Sequence, residues 1–377
     1  MKVALVHDWL NQYGGAERVL EVFHDLFPDA PVYTSFYAPE KLPDGYRTWD
    51  IRTSFLQRIP LARRKHQPFL PLYPAVFETF DLSGYDLVIS NSSGFCHGVK
   101  TSPNTCHINY CLTPPRFLWN IDAYLEREEV GAAVRTLLPI AVQPLKWWDQ
   151  WSSKRVDHFV AISNAVRDRI RRHYGSDAAV IYPPVSTSAF APSANVGDFY
   201  LVASRLIPYK RIDLAVRAFS QLGLPLVVVG EGRDRAALEA LAGPSVQFEG
   251  WVSQERLREL MATCKAFLFP GEEDFGIAPI EAQASGRPVI AYAVGGALDT
   301  VLDGVTGIFF NEPTPESLAD AVRRFEQHQW DSDAIRRHAL RFDEAHFRTQ
   351  FMDYVRQKMD EHQGATRRSK SVATGAR

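Results

Sequence analysis

The stretch Ala266-Phe-Leu-Phe-Pro-Gly-Glu-Glu-Asp-Phe-Gly-Ile-Ala-Pro-Ile-Glu281 joins a short apolar run to two carboxylates on either side of a predicted helix start. Residues 266–269 have the composition of a buried strand, and another apolar run, 289–292, follows the predicted helix. Open α/β sheets bind ligands beyond the carboxyl ends of their strands. The stretch therefore predicts an α/β fold with a ligand site at one edge of a parallel sheet.

Glu273 and Glu281 are the carboxylates of this stretch that point to a sugar or ribose ligand. A carboxylate can accept hydrogen bonds from two neighbouring hydroxyls, and such charge-assisted bonds are roughly twice as strong as neutral ones. Phe275-Gly276 would let the backbone approach a ligand at a helix N-terminus, which favours phosphate. An acidic surface loop is the alternative, but the position at a strand end favours sugar-nucleotide chemistry.

A second candidate loop, Ser204-Arg-Leu-Ile-Pro-Tyr-Lys-Arg211, follows the apolar run 199–203 and supplies two cations, Arg205 and Lys210. Two cations at this place could clamp a diphosphate and stabilise the charge of a departing nucleotide. A solvated basic loop is the alternative. Two glycine motifs, Gly14-Gly15 and Gly230-Glu-Gly232, could allow a close approach to phosphate or nucleotide, or could be plain turns.

The length of 377 residues, with 46% hydrophobic residues, predicts two domains. Apolar runs at 3–6, 87–90, 108–111 and 158–162 predict strands of the first sheet, and further runs beyond residue 195 predict a second parallel sheet. The break at Tyr182-Pro-Pro184 and the stretch that follows it place the boundary at 190/191, which gives domains of 1–190 and 191–345.

Charge and composition exclude several functions. A net charge of −2 gives no support for a nucleic-acid partner. No apolar run approaches the ~20 residues of a membrane helix, and the start of the chain has the pattern of a strand rather than of a signal peptide, which predicts a cytoplasmic protein. The four cysteines do not have a zinc spacing, so reduced thiols and no metal site are expected.

Together, Gly14-Gly-Ala-Glu17, Ser204-Arg-Leu with Lys210, Gly230-Glu-Gly232, and Glu273 with Glu281 make the chain resemble the family 4 retaining glycosyltransferases of the GT-B fold. The resemblance covers residues 1 to about 345. It implies two Rossmann-like domains facing a cleft. Three segments, 7–10, 110–119 and 271–279, are most similar to GDP-mannose-dependent α-mannosyltransferases of bacterial surface-polysaccharide biosynthesis.

The resemblance implies a role for each site residue. Arg205 and Lys210 would contact the donor diphosphate, Glu273 the transferred sugar and Glu281 the ribose. The other residues that would contact the donor or acceptor are Gly14, Gly15, Gly232, Phe275, Gly276 and Ile277. The donor would be a nucleotide sugar, GDP-mannose, and the acceptor a glycan or a polyprenyl-diphosphate-linked glycan, with no cofactor and no metal. The N-terminal domain would bind the acceptor, a helix at 346–363 would cross back to that domain, and 364–377 would be a disordered tail.

One position departs from the family pattern. Relatives often carry histidine just before Thr-Pro in the 110–119 segment, and this chain has Leu112. Leucine can neither donate to a sugar hydroxyl nor move a proton. His107 is a candidate substitute, although a packed histidine is the stronger interpretation. Leu112 therefore keeps two alternatives open, a non-catalytic or impaired nucleotide-sugar-binding protein and a sugar-nucleotide epimerase or hydrolase on the same fold.

The segment 56–77 combines basic residues with apolar and aromatic ones, the basic ones being Arg58, Arg63, Arg64, Lys65 and His66. Such a segment could lie on an anionic membrane surface beside a lipid-linked acceptor, or form a solvated loop or helix. Trp147, Trp148 and Trp151 could extend that face or pack into a core. Peripheral contact with the inner face of the membrane is the resulting hypothesis.

Overall fold

The computed structural model describes residues 1–59, 67–121 and 138–375, with side chains described at 1–59, 69–121 and 138–364. The chain divides into two compact units, one of Met1–Tyr182 with Arg348–Arg377 and one of Pro183–Phe347. Within the described residues, no helix is both long and apolar enough to cross a membrane.

The first unit is built on a parallel sheet. Among its described residues, seven strands pair in the order β3-β2-β1-β4-β5-β6-β7. Several strands are buried along their whole length, as expected for a parallel sheet that is covered on both faces. The strands are β1 (Val3–His7), β2 (Val32–Thr34), β3 (Ile51–Thr53), β4 (Leu87–Ser92), β5 (Cys106–Cys111), β6 (His158–Ala161) and β7 (Ala178–Val180).

The second unit, all of whose residues are described, has six parallel strands in the order β10-β9-β8-β11-β12-β13. The order runs outward in both directions from the neighbours β8 and β11, so the chain reverses its winding direction between these two strands. The strands are β8 (Tyr200–Ala203), β9 (Leu226–Val229), β10 (Val246–Gly250), β11 (Phe267–Phe269), β12 (Val289–Tyr292) and β13 (Gly307–Phe310). Two parallel, Rossmann-like sheets confirm the predicted α/β GT-B class.

Helices alternate with the strands and bury one apolar stripe each. In the first helix, for example, Val19, Leu20 and Phe23 are buried. The described helices are α1 (Gly15–Leu26), α2 (Tyr73–Glu78), α3 (Arg116–Trp119), α4 (Gln143–Ser152), α5 (Asn164–Tyr174), α6 (Ile212–Leu222), α7 (Arg235–Leu241), α8 (Gln254–Thr263), α9 (Ile277–Ala284), α10 (Ala297–Thr300), α11 (Pro315–Glu326), α12 (Ser332–Ala339) and α13 (Glu344–Gly375).

The last helix, α13, belongs to the first unit from Arg348 onward. Its Phe351 ring lies 4.6 Å from the ring of Phe23 on α1 and 6.1 Å from that of Tyr110 on β5. Side chains beyond Gly364 lie outside the described residues, but the backbone of α13 is helical to Gly375, where the sequence predicted a disordered tail from 364.

Candidate functional site

The loops that follow β8 and β11 meet at the carboxyl edge of the second sheet, where the winding direction reverses. Open α/β sheets bind ligands at such a point. There, the Nζ of Lys210 lies 2.5 Å from Oε1 of Glu273, and the two side chains are 13% and 23% exposed. The structure thus brings together a cation and a carboxylate that lie 63 positions apart in the sequence.

Lys210 is held by a tight local turn. It ends a short 3₁₀ turn, Pro208–Lys210, and the next residue, Arg211, has a φ of +51°. In the part of the chain that the structure describes, Arg211 is the only residue other than glycine with a positive φ. Its guanidinium pairs with Asp213, with Nε 3.1 Å from Oδ1. Non-glycine residues in this conformation carry strain and concentrate at functional sites, which agrees with a fixed position for Lys210.

Glu273 is fixed through its backbone. Its carbonyl oxygen accepts a hydrogen bond of 2.9 Å from the backbone N–H of Gly296, in the loop after β12. Two residues later, Phe275 is buried, and its ring packs at 5.7 Å from that of Phe342. The loop after β11 is therefore anchored on both sides of the carboxylate, which limits where that carboxylate can point.

The N-terminus of α9 lies in the same loop. Gly276 caps it with a φ of +93°, and no described side chain caps the helix. A Cβ at Gly276 would lie 2.7 Å from Cζ of Phe269, so this position requires glycine for both reasons. Backbone N–H groups at a helix start, together with the helix dipole, favour a negatively charged ligand.

Glu281 lies one helical turn after Ile277, which places the two residues on the same face of α9. Side chains of a helix lean toward its N-terminus. The half-buried Glu281 therefore belongs to the same sheet edge as Glu273.

Arg205 and Gly232 complete the predicted cluster in the second unit. Arg205 is exposed, and its guanidinium donates a hydrogen bond of 3.4 Å to the hydroxyl of Tyr209 in the same loop. Gly232 lies so close to the neighbouring loop that a Cβ there would fall 2.0 Å from the carbonyl oxygen of Leu206. The loops after β8 and β9 are thus packed backbone to backbone.

Sequence reasoning missed three features of this edge. Tyr209 accepts a hydrogen bond from Arg205, and the pair Gly295-Gly296 supports Glu273 from the loop after β12. Trp251, directly after β10, is 78% exposed. The signal for the glycine pair was present, since it follows the apolar run of a predicted strand, whereas nothing in the sequence distinguishes an exposed tryptophan from a buried one.

Gly14 and Gly15 belong to the first unit, where Gly14 precedes α1 and Gly15 is its first residue. The first turn of α1 also holds the buried carboxylate of Glu17, whose Oε1 lies 3.6 Å from Nε2 of the buried His7. The predicted ligand contact of the two glycines stays a prediction.

The winding direction of the first sheet reverses between β1 and β4. At this point the backbone N–H groups of the loop after β4 donate to an aspartate of the same chain rather than to a ligand. The buried Asp8 accepts four backbone hydrogen bonds of 2.7–2.8 Å from the loop 93–96. A carboxylate so bound fixes the two loops to each other.

His107 and Leu112 lie on and just after β5. His107 is fully buried, and its Nε2 shares a hydrogen bond of 2.8 Å with the hydroxyl of Ser90. Burial, with a smaller contribution from His97, lowers the pKa of His107 to about 3. His107 is therefore a packed, neutral histidine rather than a substitute for the missing one at position 112.

Most of the basic cluster predicted in the segment 56–77 cannot be placed, because Arg63, Arg64, Lys65 and His66 lie outside the described residues. The three tryptophans of α4 differ in exposure. Trp148 is buried and its Nε1 donates to Glu78 at 2.9 Å, whereas Trp147 and Trp151 are 68% and 45% exposed.

Two family models match consecutive parts of the chain. Residues 13–189 match the model described as Glycosyltransferase Family 4, and residues 190–342 match the model described as Glycosyl transferases group 1.

Curated relatives match over about half of the chain. A D-inositol 3-phosphate glycosyltransferase of Streptomyces avermitilis is 30% identical over 204 residues, which cover 45% of this chain and 44% of the relative. A glycogen synthase of Pseudomonas aeruginosa is 32% identical over 189 residues, which cover 47% of this chain and 34% of the relative. The chain thus spans about half or less of the length of these relatives.

Solved structures match over nearly the whole chain. Anabaena Alr3699/HepE in complex with UDP-glucose has a TM-score of 0.69 at 18% identity, covering 95% of this chain and 100% of that one. The lipopolysaccharide outer core galactosyltransferase WaaB has a TM-score of 0.68 at 17% identity, with the same coverage of 95% and 100%. At these identities, the likeness establishes the fold.

Proposed function

We propose that this chain, which matches the Glycosyltransferase Family 4 and Glycosyl transferases group 1 models over residues 13–342, is a GT-B glycosyltransferase that transfers a hexose, mannose from GDP-mannose, to a glycan or polyprenyl-diphosphate-linked acceptor with retention of configuration. The observation that carries this proposal is the ion pair of Lys210 and Glu273 beside the N-terminus of α9. A cation, a carboxylate and a helix start together suit a ligand that has both phosphate and sugar hydroxyls.

The first step is donor binding by exchange of partners. In the described structure, Lys210 and Glu273 neutralise each other. A donor diphosphate would take over Lys210 and would also contact Arg205 and the first N–H groups of α9. Glu273 would then be released to accept hydrogen bonds from the hydroxyls of the hexose, while Glu281 accepts those of the ribose.

In the transfer step, the acceptor hydroxyl attacks the anomeric carbon on the face from which the diphosphate departs. The bond from the anomeric carbon to the diphosphate oxygen breaks as the new glycosidic bond forms, and the hydroxyl proton passes to the departing phosphate. Arg205, Lys210 and the dipole of α9 stabilise the charge that develops on the leaving group. No cofactor or metal ion is required by this scheme.

The donor base would bind near the end of β10. The segment 250–253 offers backbone groups to the base, and it includes the exposed Trp251, whose ring offers a face on which a base can stack. We assign the guanine of GDP-mannose to this region because the segments 7–10, 110–119 and 271–279 resemble GDP-mannose-dependent enzymes.

The acceptor would bind to the first unit, and the enzyme would work at the cytoplasmic face of the membrane in polysaccharide biosynthesis. The exposed pair of Trp147 and Trp151 supports a surface contact of this unit, since their rings lie parallel at 6.2 Å between centroids and Arg155 lies over Trp151. Tryptophan and basic side chains are both favoured at membrane interfaces.

Calorimetric titration with GDP, UDP, ADP and dTDP and with their matching sugar nucleotides tests the donor assignment. Selective binding of GDP and GDP-mannose is the expected result, and preference for another nucleotide would keep the reaction class while overturning mannose. Absence of binding by the whole panel would contradict a donor site at this edge, whereas binding without transfer to any acceptor would favour the non-catalytic, nucleotide-sugar-binding alternative that Leu112 keeps open.

A product assay without acceptor separates the remaining alternative. Nuclear magnetic resonance of GDP-mannose incubated with the protein alone is expected to show an unchanged donor over the time in which transfer occurs with acceptor present. Rapid epimerisation or hydrolysis of the donor under these conditions would favour the epimerase or hydrolase function instead.

A further inference from the structure

The amino ends of β5 and β6, in the first unit, bring together three side chains of different chemistry. Cys106 begins β5, Asp157 directly precedes β6, and His362 lies on α13. The thiol sulfur of Cys106, a carboxylate oxygen of Asp157 and a ring nitrogen of His362 all lie within 4.8 Å of one another. None of these residues takes part in the proposed transfer reaction.

The fold explains why these three residues meet. β5 and β6 pair in parallel, with Ile108 opposite His158, so their first residues lie at the same edge of the sheet. The carboxylate of Asp157 accepts a hydrogen bond of 2.7 Å from the backbone N–H of His107, which orients it beside Cys106.

The third residue comes from a helix that packs on this sheet. Phe351, Val355 and Met359 of α13 are buried, and they recur at every fourth position along one stripe of the helix. His362 follows Met359 by three positions and therefore continues the same stripe. Packing of this stripe on the sheet carries the imidazole to the sheet edge.

The donor set selects the class of ion. Sulfur, nitrogen and oxygen ligands together suit Zn²⁺, whose bonds of about 2.0–2.3 Å in a tetrahedron place ligand atoms roughly 3.3–3.8 Å apart. The three ligand atoms lie within 4.8 Å of one another, so small side-chain rotations would bring them to these distances. Mg²⁺ and Ca²⁺ prefer oxygen ligands only, so the thiol argues against them.

The charges around the cluster also suit a divalent cation. A thiolate and a carboxylate would together balance two positive charges. The neighbouring cation, Lys358, is paired with Glu361, with Nζ 2.8 Å from Oε2. Its charge is therefore partly balanced already and does not stand alone beside the cluster.

We propose that Cys106, Asp157 and His362 form a Zn²⁺ site, with water as the fourth ligand, that fastens α13 to the amino edge of the first sheet. The site lies at the opposite ends of the strands from Leu112, so its role is to hold α13 in place rather than to take part in catalysis. It was not visible in the spacing of the cysteines, because two of the ligands lie far from Cys106 in the sequence.

Binding of the ion must displace a proton. The thiol of a buried cysteine is protonated at neutral pH before an ion arrives. Metal ligation requires the thiolate. One proton is therefore released for each ion bound, and the apparent affinity rises as the pH rises.

Cobalt substitution in the untagged, full-length chain tests this site. Co²⁺ bound by a thiolate gives a charge-transfer absorption in the near ultraviolet, and addition of Zn²⁺ should remove it at one equivalent. Cys106→Ser should abolish the band, and His362→Gln should weaken Co²⁺ binding more than about 100-fold, because a direct ligand counts for more than an outer partner. Cys111→Ser, at the other end of the same strand, is the matched control and should keep the band.

Two further readouts make the test decisive. Zn²⁺ should raise the thermal unfolding midpoint of the wild-type chain but not that of His362→Gln, and it should slow alkylation of Cys106. His362→Gln changes a partly exposed helix position, so it serves if Cys106→Ser does not fold. A folded wild-type chain without the thiolate band, or a band that survives in both ligand variants, would overturn the proposal.

Discussion

Replacing Glu273 with glutamine should separate nucleotide binding from sugar transfer. The change keeps the shape of the side chain and removes the charge that Lys210 pairs with at 2.5 Å. Because Lys210 no longer has to leave a carboxylate before it meets the diphosphate, GDP should bind more tightly. Because the amide cannot accept charge-assisted hydrogen bonds from the hexose, transfer should fall.

The size of both effects follows from the burial of the pair. Fully exposed ion pairs contribute about 0.2–1 kcal/mol, and this pair is mostly buried, so about 1 kcal/mol is a reasonable value for its cost to GDP binding. That energy corresponds to roughly fivefold tighter binding of GDP in Glu273→Gln, since about 1.4 kcal/mol is tenfold. Lys210→Met should instead weaken GDP binding by about 1.5–3 kcal/mol, the value of a hydrogen bond to a charged group.

Titration calorimetry with GDP, alongside a transfer assay that measures nucleotide release in the presence of acceptor, gives both numbers. We expect transfer by Glu273→Gln to drop about 100-fold or more, as for loss of one electrostatic contact in a transition state. Glu316→Gln on α11, which removes an exposed carboxylate, is the charge-matched control and should behave like wild type. Weaker GDP binding by Glu273→Gln, or full transfer activity, would refute the partner-exchange scheme.

Three further predictions concern the supports of the two units. Gly276→Ala should destabilise the second unit by about 1–3 kcal/mol in chemical denaturation, because it strains a φ of +93° and drives a methyl into Phe269, whereas Gly45→Ala enters open space and should be near neutral. Burial would raise the pKa of Glu78, but three hydrogen bonds donated to it outweigh burial and lower that pKa from 4.5 to about 2. This carboxylate therefore stabilises the fold above about pH 4.5, and the stabilisation is lost as the pH falls toward 2. Acid unfolding of Glu78→Gln should therefore depend less on pH in that window, and an identical pH dependence would contradict this assignment. Because the pKa of the buried His107 is about 3, His107→Gln should leave the pH profile of turnover between about pH 5 and 9 unchanged, and a lost limb of that profile would make His107 a proton carrier after all.

Much of the architecture could be predicted because parallel strands buried on both faces are continuous apolar runs. The run 289–292 is a strand with the predicted bounds. Three-residue strands such as Val32–Thr34 and Ile51–Thr53 were not predicted, since so short a segment has no period of its own and is defined by its pairing with a neighbour.

The candidate site was predictable in part for the same reason. Motifs that follow strands of one parallel sheet meet at one edge, so Arg205, Lys210, Glu273 and Glu281 could be assigned to a shared region from sequence. The direct pairing of Lys210 with Glu273 could not be predicted from sequence, because it depends on which two strands are neighbours where the winding direction reverses.

Features built from backbone groups were beyond sequence reasoning. Asp8 is bound by four N–H groups of a loop more than 80 positions away, and nothing in the identity of those residues marks them as donors. The cluster of Cys106, Asp157 and His362 was hidden for a related reason, because the packing of α13, rather than local spacing, supplies its third member.

A crystal structure of the chain with intact GDP-mannose is the most direct test of the proposed site. We expect diphosphate oxygens within hydrogen-bond distance of Lys210 and Arg205, hexose hydroxyls on the carboxylate of Glu273, and a broken Lys210–Glu273 pair. A donor bound elsewhere, or bound at this edge with the ion pair intact and the hexose away from Glu273, would contradict the proposed function.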